Sequence, residues 1–348
     1  MARPGVHWSM TDEQALIVGA GPIGLACAIS AKRRGLDPLV IDAGAIANSI
    51  VHYPIGMSFF TTPERLEIGG HPLVSAGGKP SREEALMYYR GVARAEGIRV
   101  RTYVRLTDAH REEGAISATL ESRHGVTTVR TERLVLATGY FDRPNLLGVP
   151  GESRPHVSHY FDEAHRWAGL DVVVIGGKNS AVEATLQLFR AGARVTLVHR
   201  GGAFKPSLKY WLRPDIENRV KAGEITAWMG AIVTEIDHDA VTIRAADGSQ
   251  HRLPAERVFA LTGFTPDLAL FGRIGITLDA MGRPAIDPQT LETDVPGVYM
   301  AGSAVAGRQI SEVFIENGRW DGEKIFGDAD ARRRAQALYQ QSPRPLGE

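Results

Sequence analysis

Apolar residues are arranged along this chain so that strands, glycine turns and helices follow one another in a repeated order. The run QALIVG at 14–19 predicts a buried strand, residues 22–34 predict a helix, and PLVID at 38–42 predicts a second strand. The same order returns later in DVVVIGG at 171–177, residues 180–190 and ARVTLV at 193–198. The pattern therefore predicts two βαβ units, each built on a parallel sheet.

A series of short alternating segments with turn residues follows each βαβ unit. These segments, 116–139 and 240–263, predict small antiparallel meanders. Each series closes on a similar phrase, LVLATGY at 134–140 and VFALTGF at 258–264. We therefore predict an α/β fold of two Rossmann-like nucleotide-binding domains, each with a central parallel sheet and a small antiparallel β-meander.

The two predicted domains are joined so that one is inserted into the other. GVPGE at 148–152 predicts a linker, and GVYMAGSA at 297–304 predicts a strand and glycine turn that return to the first domain. We place the discontinuous first domain at 1–150 and 284–348, and the second domain at 151–283.

Composition narrows the classes of protein that these domains can form. Forty basic and forty acidic residues give a net charge of zero, which argues against a general binder of nucleic acid or of anionic membranes. No apolar run approaches the roughly 18 residues of a membrane span, and the residues before Gln14 lack the apolar segment of a signal peptide. A single cysteine, Cys27, excludes an internal disulfide, a CxxC redox pair and a cysteine-rich metal site. We expect a cytoplasmic protein.

The first glycine turn carries the dinucleotide fingerprint GxGxxG as Gly19, Gly21 and Gly24, after a strand and at the start of a helix. Such glycines allow a tight turn and a close approach of the backbone to a pyrophosphate, which the helix N-terminus attracts. Asp42 ends the next strand, where an acid can accept hydrogen bonds from a ribose. The context predicts a dinucleotide site.

The second glycine turn, GGKNSA at 176–181, is a degenerate form of this fingerprint with Lys178 at the position of the middle glycine. Its second strand ends in His199 and Arg200 instead of an acid. An acid there would receive the ribose hydroxyls of NAD, whereas basic groups suit the 2′-phosphate of NADP, and Lys205 would assist. The alternative interpretation is a solvated basic loop.

Cys27 allows two interpretations, a redox role or a buried small apolar residue. It lies three residues after Gly24, so both share the helix face that must pack on the sheet, and we favour the second interpretation. The eleven histidines show no metal-ligand spacing such as HExxH, so we expect no metal site. No G-x-S-x-G serine motif is present either.

Two nucleotide domains that each close on a TG phrase, with a terminal AG turn, resemble the thioredoxin-reductase-like flavoproteins of low molecular weight. Longer phrases resemble the YpdA group, the bacillithiol-disulfide-reductase-like flavoproteins. These phrases are SFFTTPERLEIGG (58–70), KPSREEALMYYR (79–90), HYFDEAHRW (159–167), VVVIGGKNSAVEA (172–184) and EVFIENGR (312–319). The resemblance covers nearly the whole chain and includes Lys178.

The resemblance implies FAD on the first domain and NADPH on the second. The residues that it assigns to FAD are Gly19, Gly21, Gly24, Asp42, Gly139 under the cofactor, Gly302 at its pyrophosphate, and Arg308 and Gln309 at the flavin pyrimidine edge. The residues that it assigns to NADPH are Gly176, Lys178, Asn179, Ser180, His199, Arg200 and Lys205.

Three features of the sequence differ from the related families. Thioredoxin reductases carry a CxxC pair in the second domain, which this chain lacks. The YpdA group has a cysteine directly after the proline of the first fingerprint, where this chain has Ile23, and Ser303 replaces an Asp that follows the AG turn in related reductases. We therefore assign no catalytic residue and do not favour a catalytic role of Cys27.

The expected activity is hydride transfer from NADPH to flavin and onward to a small acceptor. The first candidate acceptor is a low-molecular-weight disulfide, reduced without an enzyme CxxC pair. One alternative is an electron transferase similar to ferredoxin– or flavodoxin–NADP reductases, and another is a flavin-bound redox sensor with negligible turnover. Apart from a small-molecule or small redox-protein acceptor, the partner that we expect is a second copy of the chain in a homodimer.

Overall fold

The computed structural model describes residues 11–308 and 313–341, and these form two compact units. Unit 1 consists of the described residues in 11–51, 56–143, 264–308 and 313–341, and unit 2 consists of 52–55 and 144–263. Within these ranges no helix has the length and apolar character needed to cross a membrane.

The strands are β1 (Thr11–Glu13), β2 (Leu16–Val18), β3 (Leu39–Asp42), β4 (Arg99–Thr102), β5 (Val104–Glu112), β6 (Ala115–Ser122), β7 (Gly125–Thr131), β8 (Leu134–Leu136), β9 (Val157–Ser158), β10 (Asp171–Ile175), β11 (Arg194–His199), β12 (Thr226–Met229), β13 (Ile232–Ile236), β14 (Ala240–Arg244), β15 (Gln250–Pro254), β16 (Arg257–Ala260) and β17 (Val298–Met300). The helices are α1 (Pro22–Lys32), α2 (Asn48–Val51), α3 (Pro63–Leu66), α4 (Arg82–Ala95), α5 (Asn179–Arg190), α6 (Leu212–Lys221), α7 (Leu268–Ile274), α8 (Ile315–Gly318), α9 (Asp321–Phe326) and α10 (Ala329–Gln341). Two 3₁₀ turns span His165–Trp167 and Gly302–Ala306.

Unit 1 contains a five-stranded parallel sheet in the order β17-β8-β2-β3-β4. Its central strands, LIV in β2 and LVL in β8, are wholly buried, as continuous apolar runs in a sheet covered on both faces should be. A second sheet, β1-β7-β6-β5, is antiparallel apart from its β1–β7 pair. This sheet contains the first predicted meander.

Unit 2 repeats the plan with a five-stranded parallel sheet in the order β12-β11-β10-β16-β9. The antiparallel sheet β13-β14-β15 is its meander. Helix α5 buries Ala181, Ala184 and Leu188 against Val172 and Val174 of β10. The predicted architecture of parallel sheets with small antiparallel meanders is therefore confirmed.

The chain returns to unit 1 at Phe264, whereas the sequence analysis places this return near Pro284. Helix α7 explains the earlier position, because Leu270 and Phe271 are buried in the same apolar cluster as residues of β5, β6 and β8. The segment 264–283 thus belongs to the core of unit 1, which a local sequence pattern could not reveal.

Helix α1 starts unusually close to the end of β2, and two glycines make this possible. A Cβ atom on Gly24 would lie 1.8 Å from the carbonyl oxygen of Gly19. Gly19 has a φ of +112°, and a Cβ atom there would lie 2.2 Å from the carbonyl oxygen of Ala137. Both glycines are therefore required by the packing of the backbone, independently of any ligand.

Helix α9 connects the turn after β17 to the body of unit 1. The buried Asp321 Oδ2 accepts a hydrogen bond from the backbone N–H of Gly302 at 2.8 Å. Burial raises the pKa of Asp321 to about 6, against the opposing effects of this hydrogen bond and of Lys324. Gly322 allows α9 to approach α1, because a Cβ atom there would lie 2.8 Å from the Cα atom of Cys27.

We expect Gly24→Ala to lower the free energy of unfolding by about 3 kcal/mol or more, because a clash between backbone-anchored atoms forces α1 away from β2. The matched control is Gly91→Ala in the exposed middle of α4, where a Cβ atom meets nothing within 4 Å. That variant should gain about 0.5–1 kcal/mol from helix propensity. Urea unfolding followed by circular dichroism measures both, and equal stabilities of the two variants would contradict the packing argument.

The pKa of Asp321 predicts a pH-dependent stability. Its value of about 6 in the folded state lies above the roughly 3.9 of an unfolded chain, so the folded state binds the proton more tightly. The stabilisation is complete below about pH 4 and is lost as the pH rises through 6, a change of at most about 3 kcal/mol. Asp321→Asn keeps an oxygen acceptor for Gly302 but does not titrate. As the pH rises from 4 to 7, the unfolding free energy of the wild-type apoprotein should therefore fall relative to that of the variant. A difference between the two proteins that does not change with pH would refute the assignment.

Candidate functional site

Four of the residues predicted for the first site lie at one edge of the parallel sheet in unit 1. Gly19 follows β2, Asp42 ends β3, Gly139 follows β8 and Gly302 follows β17. Since all five strands are parallel, their carboxyl ends meet at this edge, which is where α/β sheets bind ligands.

Gly21 differs from the other two glycines of the fingerprint. It is the N-cap residue of α1, and a Cβ atom on it would meet nothing within 4 Å. Packing within the protein therefore does not require glycine at this position. Because this glycine has open space beside it and lies at the N-terminus of an 11-residue helix, an anionic group has room to approach the backbone N–H groups.

Asp42 is already engaged by the backbone around it. Its Oδ2 accepts the N–H of Ala20 and its Oδ1 accepts the N–H of Gly44, each at 2.7 Å. Burial raises the pKa of Asp42 in spite of these two hydrogen bonds. Each carboxylate oxygen has further acceptor capacity for a ribose hydroxyl, so Asp42 first fixes the glycine turn and can also bind a ligand.

Thr138 is a residue of this edge that the sequence analysis did not select, although it belongs to the TG phrase. Its Oγ1 atom is buried and has no hydrogen-bond partner in the described part of the chain. The next residue, Gly139, has a φ of +62°, and a Cβ atom on it would lie 3.8 Å from the Ser303 hydroxyl. A buried unpaired hydroxyl beside an open glycine turn is the kind of group that a polar ligand satisfies.

Ile23 and Cys27 occupy the two positions where a redox thiol was considered. Ile23 lies against Gly302 and Gly318, since a Cβ atom on either glycine would come within 3.1 Å of its side chain. Cys27 is fully buried, and burial raises its pKa well above the ordinary value, with smaller effects from Asp321 and Glu323. The prediction that Cys27 is a buried residue is confirmed.

Arg308 is exposed and is held by hydrogen bonds to the turn that contains Ala280 and Met281. Its backbone N–H donates to the carbonyl of Met281 at 2.9 Å, and its guanidinium donates to the carbonyl of Ala280 at 3.2 Å. Its predicted neighbour Gln309 lies outside the described residues.

In unit 2, the turn between β10 and α5 is built on two further glycines. Gly176 has a φ of +148°, and a Cβ atom there would lie 2.5 Å from the carbonyl oxygen of Leu261. Lys178 and Ser180 are exposed at the start of α5. Asn179 Oδ1 accepts the backbone N–H of Lys209 at 2.9 Å, which ties the helix start to the loop after β11. The predicted residues therefore surround one helix N-terminus.

The environment of His199 disfavours the cationic form of its ring. The residue is 9% exposed, and its ring is parallel to that of Phe204, with 6.3 Å between the ring centroids and an interplanar angle of 8°. It fills the space above two glycines, because Cβ atoms on Gly177 and Gly201 would lie 2.2 and 2.7 Å from it. Burial lowers the pKa of His199, and the charges of Arg200 and Lys205 act in the same direction. Gly177, which sequence reasoning missed, is the position that makes room for it.

The charge at the end of β11 is carried by Arg200 and Lys205, which are both exposed. Arg213 holds this loop by donating to the carbonyls of Phe204 and Lys205. The geometry therefore leaves two cationic side chains available to an anion beside the turn of Gly176.

A cluster of possible metal ligands lies elsewhere in unit 2. Among the described residues, the only group of three or more such side chains whose ligand atoms come together is Asp237, His238 and Asp239, in the turn between β13 and β14. Arg154 and Arg252 form ion pairs with these aspartates, at 3.5 Å and at 2.6–3.3 Å. The arginines would compete with a metal ion for these carboxylates, and we assign the group no function.

Comparisons with known proteins identify the family of the chain. The family model described as pyridine nucleotide-disulphide oxidoreductase matches residues 16–302. Bacilliredoxin reductase Bdr of Bacillus subtilis (strain 168) is 41% identical over 324 residues, which cover 93% of this chain and 99% of that protein. A ferredoxin–NADP reductase of Ignicoccus hospitalis is 27% identical over 296 residues, which cover 83% of this chain and 88% of that protein.

Solved structures show the same relationship. The structure of bacillithiol disulfide reductase Bdr (YpdA) from Bacillus cereus matches with a TM-score of 0.88 and 39% identity, over 95% of this chain and all of that one. Thioredoxin reductase from T. acidophilum, with a TM-score of 0.69 and 22% identity over 95% and 99% of the two chains, shares the fold. The resemblance to the YpdA group is thus confirmed. The chain belongs to the pyridine nucleotide-disulphide oxidoreductase family and is a thioredoxin-reductase-like, NAD(P)H-dependent flavoprotein oxidoreductase.

Proposed function

We propose that this protein holds FAD in unit 1 and NADPH in unit 2, and that it reduces a low-molecular-weight disulfide. The observation that carries the proposal is the edge of the first sheet, where the open Gly21 at the N-terminus of α1 lies beside Asp42 and the unpaired Thr138. A dinucleotide needs an anion site, a ribose acceptor and a polar partner, and this edge offers all three.

The residues proposed for FAD divide by task. Gly21 leaves space for the pyrophosphate, while Gly19 and Gly24 hold α1 in position beneath it. Asp42 accepts the ribose hydroxyls with its remaining lone pairs. The remaining residues are assigned to FAD because they match the family's motifs, and they are Gly139, Gly302, Arg308 and Gln309. When bound, FAD supplies the capacity to take a hydride from a nicotinamide and to release its electrons to an acceptor.

The residues proposed for NADPH surround the N-terminus of α5. Gly176 allows the turn to form, and the exposed Lys178 and Ser180 with Asn179 lie where a pyrophosphate would approach. The exposed Arg200 and Lys205 would bind the 2′-phosphate by charge-assisted hydrogen bonds. His199 supports this loop, because its buried ring fills the space above Gly177 and Gly201.

A disulfide is the acceptor that the names of the closely similar relatives favour. The proteins at 41% and 39% identity are named bacilliredoxin reductase and bacillithiol disulfide reductase. In the overall reaction NADPH, a proton and one disulfide give NADP⁺ and two thiols. This chain can supply no dithiol relay, because its single cysteine is buried. The disulfide must therefore receive both electrons without a covalent link to the protein.

A second candidate function is electron transfer to a one-electron carrier, as in ferredoxin–NADP reductases. The observation that favours it is the same lack of an accessible thiol, with Ile23 at the position of the family cysteine. Relatives of that name cover 83% and 85% of this chain at 27% and 30% identity. Both candidates share the first half-reaction and differ in the acceptor. A homodimer in the cytoplasm remains part of the proposal for either function.

An anaerobic titration with NADPH tests the proposed function. We expect protein reconstituted with FAD to lose its oxidised flavin absorbance on adding one equivalent of NADPH. It should then consume further NADPH when a disulfide such as that of bacillithiol is added. Cys27→Ser should keep both activities within about twofold, since a buried thiol with little thiolate is a poor nucleophile.

Gly21→Val provides the control for the FAD site. Its side chain enters open space, so the apoprotein should fold like the wild type yet fail to bind FAD. A wild-type protein that cannot be reconstituted with FAD would refute the proposal. Rapid turnover with ferredoxin but none with any disulfide would establish the second function instead.

Arg200→Ala tests the choice of nucleotide. A charge-assisted contact with phosphate contributes roughly 1.5–3 kcal/mol, so the KM for NADPH should rise about ten- to a hundredfold while that for NADH stays unchanged. The matched control is Lys221→Ala, which removes an exposed positive charge at the end of α6. Equal losses with both nucleotides, or equal effects of the two variants, would exclude a 2′-phosphate contact.

A further inference from the structure

Tyr103 combines two features that are unfavourable for a residue with only a structural role. Its φ of +58° lies in the left-handed region, which a bulky side chain rarely adopts. Its side chain is 64% exposed. Within residues 11–308 and 313–341 we find no ring stack, cation–π contact or side-chain hydrogen bond for this ring. A strained backbone that presents an exposed aromatic ring points to a ligand.

The place of Tyr103 in the fold identifies which part of a ligand it could meet. It directly follows Thr102, the last residue of β4, and Thr102 is paired in register with Asp42 of β3. Its backbone N–H donates to the carbonyl of Gly44 at 3.1 Å, in the turn that Asp42 also holds. Tyr103 is therefore fixed beside the proposed ribose acceptor.

The order of the strands places Tyr103 in one row with the glycine turn and Asp42. The glycine turn follows β2, Asp42 ends β3 and Tyr103 follows β4, and these three strands are adjacent in the sheet. Neighbouring strands lie about 4.8 Å apart, so each step along the edge covers about one unit of a nucleotide. A dinucleotide with its pyrophosphate at Gly21 and its ribose at Asp42 has its base beyond Asp42, at the end of β4.

We propose that the ring of Tyr103 stacks on the adenine base of FAD and secures the dinucleotide form of the flavin. This inference rests on the proposed function and deepens its FAD site. Aromatic side chains stack on bases without needing hydrogen bonds to them. The left-handed backbone then places a large ring at the edge of the sheet, and the strain is the cost of that placement.

Titration of the apoprotein with FAD, followed by flavin fluorescence, tests the proposal. Tyr103→Gly should raise the dissociation constant for FAD about tenfold or more. The melting temperature of the apoprotein should not fall, because glycine adopts a positive φ freely. Tyr103→Phe keeps the ring and should bind FAD within about twofold of wild type. ADP, which carries adenosine without flavin, should compete with FAD for the wild-type protein. The inhibition constant of ADP obtained from this competition should rise in Tyr103→Gly by about the same factor as the dissociation constant for FAD, because both ligands lose the same contact.

Glu113→Gly is the matched control. Glu113 is exposed, has a φ of +46°, and lies in the turn at the far end of the nine-residue strand β5. That end is about 30 Å along the strand from Tyr103. Its replacement relieves the same kind of backbone strain and should leave FAD binding unchanged.

Three results would overturn the inference: unchanged FAD affinity in Tyr103→Gly, a fall in apoprotein stability that accounts for its weaker binding, or an ADP inhibition constant that cannot be measured in the wild type or does not change in Tyr103→Gly. In each of these cases a wild-type protein that binds FAD and is reduced by NADPH would still support the proposed function. A wild-type protein that binds no FAD would remove both.

Discussion

The organisation of this protein depends on one close contact between backbone atoms, where α1 starts above the end of β2. A Cβ atom on Gly24 would lie 1.8 Å from the carbonyl oxygen of Gly19, so only glycine lets the helix begin so near the strand. That contact directs the N-terminus of α1 at the edge where the neighbouring parallel strands end. The carboxylate of Asp42 then fixes the turn through the N–H of Ala20. The open space above Gly21 is therefore bordered by backbone that is held tightly in place.

Unit 2 has the same kind of close glycine turn between a strand and a helix, but different side chains surround it. Gly176 lies against the carbonyl of Leu261, and the ring of His199 fills the space above Gly177. Burial lowers the pKa of this ring, since desolvation disfavours the protonated form. The cationic character of the loop is thereby left to exposed side chains such as Arg200. The two units thus share one arrangement of strands and helices, but unit 1 has an acid at the end of β3 and unit 2 has a cation beyond the end of β11. This difference suits nucleotides with different ribose groups.

The alternation of apolar runs and glycine turns was sufficient to predict the two parallel sheets and their meanders, because these patterns are local. Residues whose role depends on distant partners could not be predicted. Asp321 acquires its raised pKa and its bond to Gly302 only when α9 is buried. Helix α7 joins the core of unit 1 through contacts with strands far away in sequence. The burial of His199 could not be predicted for the same reason, since it depends on Gly177 and Phe204 as well as on its own strand.

The electron-delivery step is where this chain differs physically from a thiol-based reductase. A thiolate is required for attack on a disulfide, and burial together with the negative charges of Asp321 and Glu323 disfavours that form of Cys27. The position of the family cysteine is filled by the apolar side chain of Ile23, closely packed between Gly302 and Gly318. Under the proposed function, no covalent intermediate can hold the acceptor, so the acceptor must itself come within reach of the flavin. Selection among acceptors would then depend on their size and reduction potential.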